Sequence, residues 1–430
     1  MLLMKRLKVI TLGCSKNSVD TEHLLAALPA DAFRIVDDAP FVYLLYNTCG
    51  FIGDAKQESI QAILEGAAAK SRGEVGKLVV FGCLSQRYAS EMPSLIPEVD
   101  AWFGARDMNP VLEYLGVGAS GFTARVPGYN GSYAYLKISE GCDRRCSYCA
   151  IPYIRGAHRS VPIEDLVNEA RSLASYGVRE LIIIAQDITF YGLDLYRRRA
   201  LADLLRALSK VDGIEWIRLH YAYPTDFPED VLDEMASNPK ICKYLDIPLQ
   251  HISDKVLDNM HRHVDSVTTR SLIERLRRKV PGVVLRTTMI VGHPGEGDEE
   301  FGELIDFVRE TGFERLGAFT YSEEEGTWGA ENLRDDVPED VKNHRLDELM
   351  GTQAEISLAF NESRVGTEET VLVDAVSGNS LVTRSQWESP DVDGEILVDM
   401  KEADDIPAVG SFIRVRITSA DEYDLRAVKL

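Results

Sequence analysis

The chain has no surplus of positive charge. Its 430 residues set 47 Lys and Arg against 69 Asp and Glu, a net charge of −22 at pH 7. Proteins that hold nucleic acid normally display basic patches that displace counterions from phosphates. Capture of a polyanion is therefore disfavoured as the main task, and any macromolecular partner is expected to be a basic protein. Residues 364–430 alone hold 7 basic and 14 acidic side chains. No uninterrupted apolar stretch approaches the ~20 residues of a membrane-spanning helix. The apolar start Met1-Leu2-Leu3-Met4 is too short for a secretory signal. Cysteine is scarce and odd in number, seven in all, with three in one tight run. That pattern disfavours a disulfide framework and places the protein in a reducing, cytoplasmic compartment. With 45% hydrophobic residues the chain is long enough for two or three domains with real cores.

The tight run is Cys142-Asp143-Arg144-Arg145-Cys146-Ser147-Tyr148-Cys149. Thiolates gathered on one loop suit a soft metal centre. An iron–sulfur cube takes four cysteine thiolates, so three leave one iron open to a cofactor or substrate. Zinc is the alternative, with His158 as a fourth ligand, although zinc sites usually pair short spacings. A purely structural trio would be an oxidation hazard with no packing reason.

The first segment alternates strands (Leu7 to Leu12, Phe41 to Tyr46, Lys77 to Phe81) with helices (Ser18 to Leu28, Asp54 to Lys70). Apolar strands separated by helices predict a parallel α/β sheet. Cys14, Cys49 and Cys83 each then fall just past a strand's C-terminal end, the edge where such sheets bind ligands. Convergence on a second three-thiolate cluster follows. The middle repeats strand and helix about six times, from Tyr133 to Tyr321, which predicts a partial (β/α)6 barrel with its active site at the strand C-termini. From about Arg364 short β-rich pieces alternate with turns, a small all-β barrel near the lower size limit of an independent domain. The expected domains are 1–120, 129–362 and 364–430.

The run Cys142 to Pro152 followed by Arg155-Gly156, the N-terminal cysteine trio and the C-terminal barrel together resemble the radical S-adenosylmethionine (SAM) methylthiotransferases, whose last domain is a TRAM barrel. The resemblance covers essentially the whole chain. Gly13-Cys14-Ser15-Lys16-Asn17-Ser18-Val19-Asp20, Pro390-Asp391-Val392-Asp393-Gly394 and Asp421 to Leu425 are most similar to the branch acting on ribosomal protein S-twelve, rather than on an adenosine of transfer RNA. It implies two [4Fe-4S] clusters and SAM. The cluster on Cys142, Cys146 and Cys149 would reduce SAM to a 5′-deoxyadenosyl radical that takes hydrogen from the β-carbon of an aspartate. The cluster on Cys14, Cys49 and Cys83 would hold the sulfur to be methylated and inserted. The implied partners are S-twelve, free or in the small subunit, and an electron donor such as a flavodoxin or ferredoxin. Nucleic acid would be touched at most through ribosomal RNA, and no membrane is involved.

Other residues carry weaker signals. Tyr148 is expected against the adenine of SAM, and Gln186 and Asp187 at its amino group. Arg286, a charge in an apolar strand, must meet the SAM carboxylate or a buried acid. Gly292 opens a turn, Gly292-His293-Pro294-Gly295-Glu296, that resembles the SAM-supporting segment of the superfamily. His251, His261 and His263 read as packing or solvated histidines, and Cys242 as a buried apolar residue. Two further functions compete: a transfer RNA adenosine methylthiotransferase, and a non-catalytic metal-containing RNA-binding scaffold.

Overall fold

The computed structural model describes residues 4–119, 125, 127–128, 131–400 and 406–430. The apolar residues 1–3 and the expected domain ends at 120 and 129 lie outside them. The chain forms two compact units: Met1–Gly128 with Glu140–Arg145 and Cys149–Arg159, and Tyr129–Ser139 with Cys146–Tyr148 and Ser160–Leu430.

The first unit is built on a five-stranded parallel sheet in the order Phe33–Ile35, Lys5–Thr11, Phe41–Thr48, Val75–Gly82, Ala101–Trp102. Its central strands read as continuous apolar runs because both faces are covered. Leu45, Val79 and Phe81 face one core with Leu24 and Leu112, while Leu44, Leu78 and Val80 face the other with Ile63. The short edge strands and the helix Asn109–Leu115 carry too few residues for a clear period and are not legible in the sequence.

In the second unit six parallel strands follow chain order: Tyr133–Lys137, Glu180–Ile184, Trp216–Leu219, Ile241–Asp246, Val284–Val291, Arg315–Thr320. The first and last do not pair, so the barrel is partial. One face of the strands, with Leu181, Ile217, Leu245 and Leu285, packs under the helices. The alternate positions carry Glu180, Arg218, Tyr244, Asp246 and Arg286, as the two-residue strand period requires. The last five strands form a closed barrel around Val371, Val373, Leu381, Ile396, Val398 and Val415.

The charged positions are satisfied by one another and by the C-terminal barrel. Glu180 accepts from Arg218 at 2.6 Å and pairs with Arg384 at 2.8 Å, all essentially without exposure. Arg286 pairs with Asp246 at 2.9 Å and Asp393 at 3.5 Å. Tyr244 donates to Asp393, Tyr135 donates to Asp391, and His220 bonds Ser389. Glu388 receives Arg315 and Arg364. A 25-residue helix, Glu339–Ser363, joins the two barrels. Its buried face is Lys342, Arg345, Leu349, Thr352, Gln353, Ser357 and Asn361. Arg345 pairs with Glu296 at 2.9 Å, Gln353 donates to Phe313 O, and Asn361 donates to the carbonyls of Asp421 and Tyr423. That helix has no apolar stripe, and the sequence reading passes over it.

Burial opposes ionisation of Glu388, but Arg364 and Arg315 outweigh it and hold its carboxyl down at about 2. Glu388→Gln is expected to lower the unfolding free energy by about 3 kcal/mol at pH 7, because a buried guanidinium loses its counter-charge. The folded carboxyl titrates below its ordinary 4.5, so its contribution is complete above that pH and is lost as pH falls toward about 2. Urea unfolding of both proteins at pH 7 checks the magnitude; equal midpoints would contradict it.

Candidate functional site

The register of the first sheet sets three loops level. Thr11 lies beside Asn47, and Asn47 beside Phe81. Cys14 then caps the helix Ser15–Ala26, Cys49 follows the strand ending at Thr48, and Cys83 opens the short helix Cys83–Arg87. The loops pack backbone to backbone. A Cβ on Gly13, whose φ is +90°, would stand 2.6 Å from Cys49 Cβ and 2.9 Å from its Sγ. A Cβ on Gly50 would stand 2.7 Å from Leu84 Cα, next to Cys83. Asn17 ties two of these loops, donating to Leu12 O at 2.9 Å and Thr48 O at 3.2 Å. Ser59 holds the Cys49 backbone, accepting from its amide and donating to its carbonyl.

Arg155 closes this arrangement. It is buried, donates to Cys83 Sγ at 3.3 Å and to Asn17 Oδ1 at 2.5 Å, and pairs with Asp20 at 2.7 Å and Glu140 at 3.1 Å. Burial pushes the Cys83 thiol up to about 11, with Arg155 pulling the other way and the charges of Cys14 and Cys49 adding to the rise. Burial likewise raises Cys49. Thiols placed this way lose their protons readily only to a metal centre that binds the thiolate. The donor set is sulfur alone, with Cys49 and Cys83 buried and Cys14 exposed, and its loops approach too closely for side chains at Gly13 and Gly50, which fits an iron–sulfur cluster.

The second trio follows the strand residues Ser139–Glu140 and precedes the helix Ile151–Arg155. In the first unit Cys142 donates its amide to Gly156 O. In the second, Ser147 is clamped at both ends, its amide to Met260 O at 3.0 Å and its carbonyl from Gly329 at 2.7 Å. Cys146 Sγ accepts from Arg262 at 3.5 Å. Cys142 and Cys146 are buried and Cys149 half-buried. Among the described residues no three His, Cys, Asp or Glu side chains converge on a single-ion site. His158 donates its amide to Asp143.

The strand ends of the second unit carry the remaining candidates. Tyr148 meets His293 edge-on at 6.3 Å, and His293 meets Tyr321 at 4.9 Å. Burial pushes His293 down to about 4, so its ring is neutral at pH 7. Gly292 donates its amide to Glu296 at 2.9 Å, and His251 Nε2 stands 3.3 Å from the same carboxylate while its Nδ1 accepts from Ser253. Asp187 accepts from both the amide and the hydroxyl of Thr189, capping a short 3₁₀ turn; Gln186 precedes it at the strand end. Arg286 meets the buried acids Asp246 and Asp393, one of the two roles its position allows. His261 and His263 stack near Trp328, and Cys242 lies buried with Tyr244 and Val284. Tyr221 and Gln250, past two strand ends, hold left-handed φ values of 62° and 77°, strain of the kind that gathers at functional sites.

Residues 6–104 match the model described as Uncharacterized protein family UPF0004, residues 136–308 the Radical SAM superfamily, and residues 365–429 the TRAM domain. The chain is 48% identical to the ribosomal protein uS12 methylthiotransferase RimO of Phocaeicola vulgatus, covering 99% of both. It is 49% identical to the protein of that name from Porphyromonas gingivalis, covering 98% of both. The chain belongs to the RimO methylthiotransferase family. Its fold is similar to that of the radical SAM methyltransferase TsrM from Kitasatospora setae, with a TM-score of 0.56 and 15% identity over 74% of this chain and 75% of that one.

Within this family member, sequence reasoning passed over Asn17, Arg155 and Arg262 as site residues. Asn17 and Arg155 stand inside the motifs that carry the resemblance. Arg262 lies between two histidines that drew attention by type, and a lone loop arginine normally reads as solvated. The Gly13 cradle gives a direct test. Gly13→Ala is expected to retain the fold by circular dichroism but to hold only about half the wild-type iron after anaerobic reconstitution, the Cys142–Cys149 share remaining. Iron at the wild-type level would contradict that cradle.

Proposed function

We propose that this chain methylthiolates the β-carbon of an aspartate of ribosomal protein uS12, holding one [4Fe-4S] cluster on Cys142, Cys146 and Cys149 and a second on Cys14, Cys49 and Cys83. The full-length likeness to relatives bearing that name carries the reading. The chemistry the clusters supply when bound is reductive cleavage of SAM at the first and sulfur donation at the second. The chain's own residues do the binding. Tyr148, Gln186, Asp187 and Gly292, near the strand ends, are proposed to frame SAM, with the neutral His293 ring bracing Tyr148; Arg286, early in its strand and held by Asp246 and Asp393, takes the buried-acid role instead. In the product, an aspartate C–H is replaced by C–S–CH3, the hydrogen leaving on 5′-deoxyadenosine.

The C-terminal barrel supports a protein substrate over RNA. Its exposed Arg414 and Arg416 share Glu368, and Arg426 faces Asp399, so two carboxylates offset most of the charge that these three arginines could offer to phosphates. RNA contact through the TRAM barrel is proposed only where ribosomal RNA borders uS12. No described helix is long and apolar enough to cross a membrane. A cytoplasmic site of action and a flavodoxin or ferredoxin electron donor complete the proposal.

Mass spectrometry of uS12 and of bulk transfer RNA, from cells with and without the gene, tests the reading. Loss of a methylthio mass from uS12 with transfer RNA unchanged is expected; the converse would move the chain to the adenosine-modifying function. In the purified enzyme, Cys14→Ala is expected to keep SAM cleavage and lose methylthiolation. Undiminished product from that variant would remove the second cluster from the scheme.

A further inference from the structure

Cys146 is met by a buried cation that has no acid to neutralise it. Arg262 is 4% exposed. Its Nη1 donates to Cys146 Sγ at 3.5 Å, its Nη2 donates to Pro248 O at 2.5 Å, and its guanidinium lies 4.2 Å over the Tyr223 ring. Tyr223 in turn donates its hydroxyl to Arg262 O at 2.7 Å, with the same oxygen 3.9 Å from Cys146 Sγ. Every other buried arginine among the described residues stands within ion-pair distance of a carboxylate, as Arg155 does with Asp20 and Arg364 with Glu369. Arg262 has none. A desolvated guanidinium is tolerated when a negative group faces it, and the group it faces is a cysteine sulfur.

The backbone is bent to achieve this. His261 and His263, on either side, hold φ values of 54° and 52°. Non-glycine residues keep that conformation only where their surroundings over-determine it. Two consecutive costs, an unpaired buried cation and a strained flank, converge on one contact to one thiol.

We propose that Arg262, supported by Tyr223, is a positioning residue whose counter-charge is the iron-bound thiolate of Cys146, and that it sets the reduction potential of the cluster on that loop. This rests on the reading of Cys146 as an iron ligand. Positive charge and N–H···S hydrogen bonds favour the more negative, reduced state and so raise the potential. Arg155 touches Cys83 in a similar way but is already neutralised by Asp20 and Glu140, so it supplies a hydrogen bond with little net charge.

The test uses the full-length chain carrying Cys14→Ala, Cys49→Ala and Cys83→Ala, anaerobically reconstituted so that one cluster is read, with its midpoint followed by electron paramagnetic resonance during redox titration. Arg262→Gln is expected to shift the midpoint negative by at least about 59 mV, a tenfold change in the reduced-to-oxidised ratio for one electron. Arg262→Lys, which keeps the charge, is expected to fall between, and Tyr223→Phe to shift slightly in the same direction. Unchanged midpoints in iron-loaded variants would overturn the proposal. Should Arg262→Gln fail to hold iron, the Lys and Phe variants decide: a negative shift supports it and no shift overturns it. A parent protein that binds no iron would instead remove the ligand reading itself, and this inference with it.

Discussion

Glu180 sits without water between Arg218 and Arg384, and the second unit depends on that arrangement. A barrel of this class is usually filled by layers of branched aliphatic side chains. Here the strand positions opposite the helix-facing core carry Glu180, Arg218, Asp246 and Arg286, charges that would be costly to bury alone. They pair with one another and with residues 384–393 of the C-terminal barrel, Arg384 meeting Glu180 and Asp393 meeting Arg286, while Ser389 and Asp391 engage His220 and Tyr135 beside them. The dependence is mutual, since the small barrel is near the size at which a domain barely stabilises itself. Its docking segment is acidic where the strands present arginine and tyrosine. Glu369, Glu388 and Asp393 of residues 364–430 are turned inward, where they neutralise arginines of the barrel and of the helix end.

The first unit solves a related problem with backbone rather than charge. Parallel register brings three neighbouring strands to a common level, and the loops leaving them must approach more closely than side chains permit. Gly13 and Gly50 meet that demand, and Asn17 spends its amide on two different loops at once. The result is a thiol-lined end of the sheet where Arg155, the cation that donates to Cys83 Sγ, is itself anchored by two carboxylates. The glycines and Asn17 each fix where sulfur can be.

How much of this was legible follows from the same physics. The strands were readable because burial on both faces leaves apolar runs such as Leu78-Val79-Val80-Phe81, and the helices of the barrel because their apolar stripes are clear. The strand-end position of Cys14, Cys49 and Cys83 followed from topology alone. The helix Glu339–Ser363 was not readable, because its buried face is made of Lys342, Arg345, Gln353 and Asn361, and periodicity methods see only apolar stripes. Pro390 to Gly394 was noticed for its resemblance but not for its role, since an acidic Pro-containing stretch reads as a solvated turn. Arg286 was correctly expected to need a partner, and which partner depended on a strand and a loop 107 residues apart in sequence.

Arg262 was the least legible of all, and the reason is instructive about charge in general. Net charge reports on what a surface attracts, and at −22 this surface repels phosphates. A buried site answers to the few groups within hydrogen-bond reach, where the low dielectric magnifies each. In a chain with such an excess of carboxylates, leaving one buried arginine without an acid is a departure from its own pattern, because partners are abundant. The barrel core shows how readily acids are recruited wherever a buried guanidinium needs only to be neutralised. Where sulfur takes the acid's place, the arginine retains an uncompensated field directed at that sulfur, and such a field acts on the electron affinity of whatever the sulfur binds.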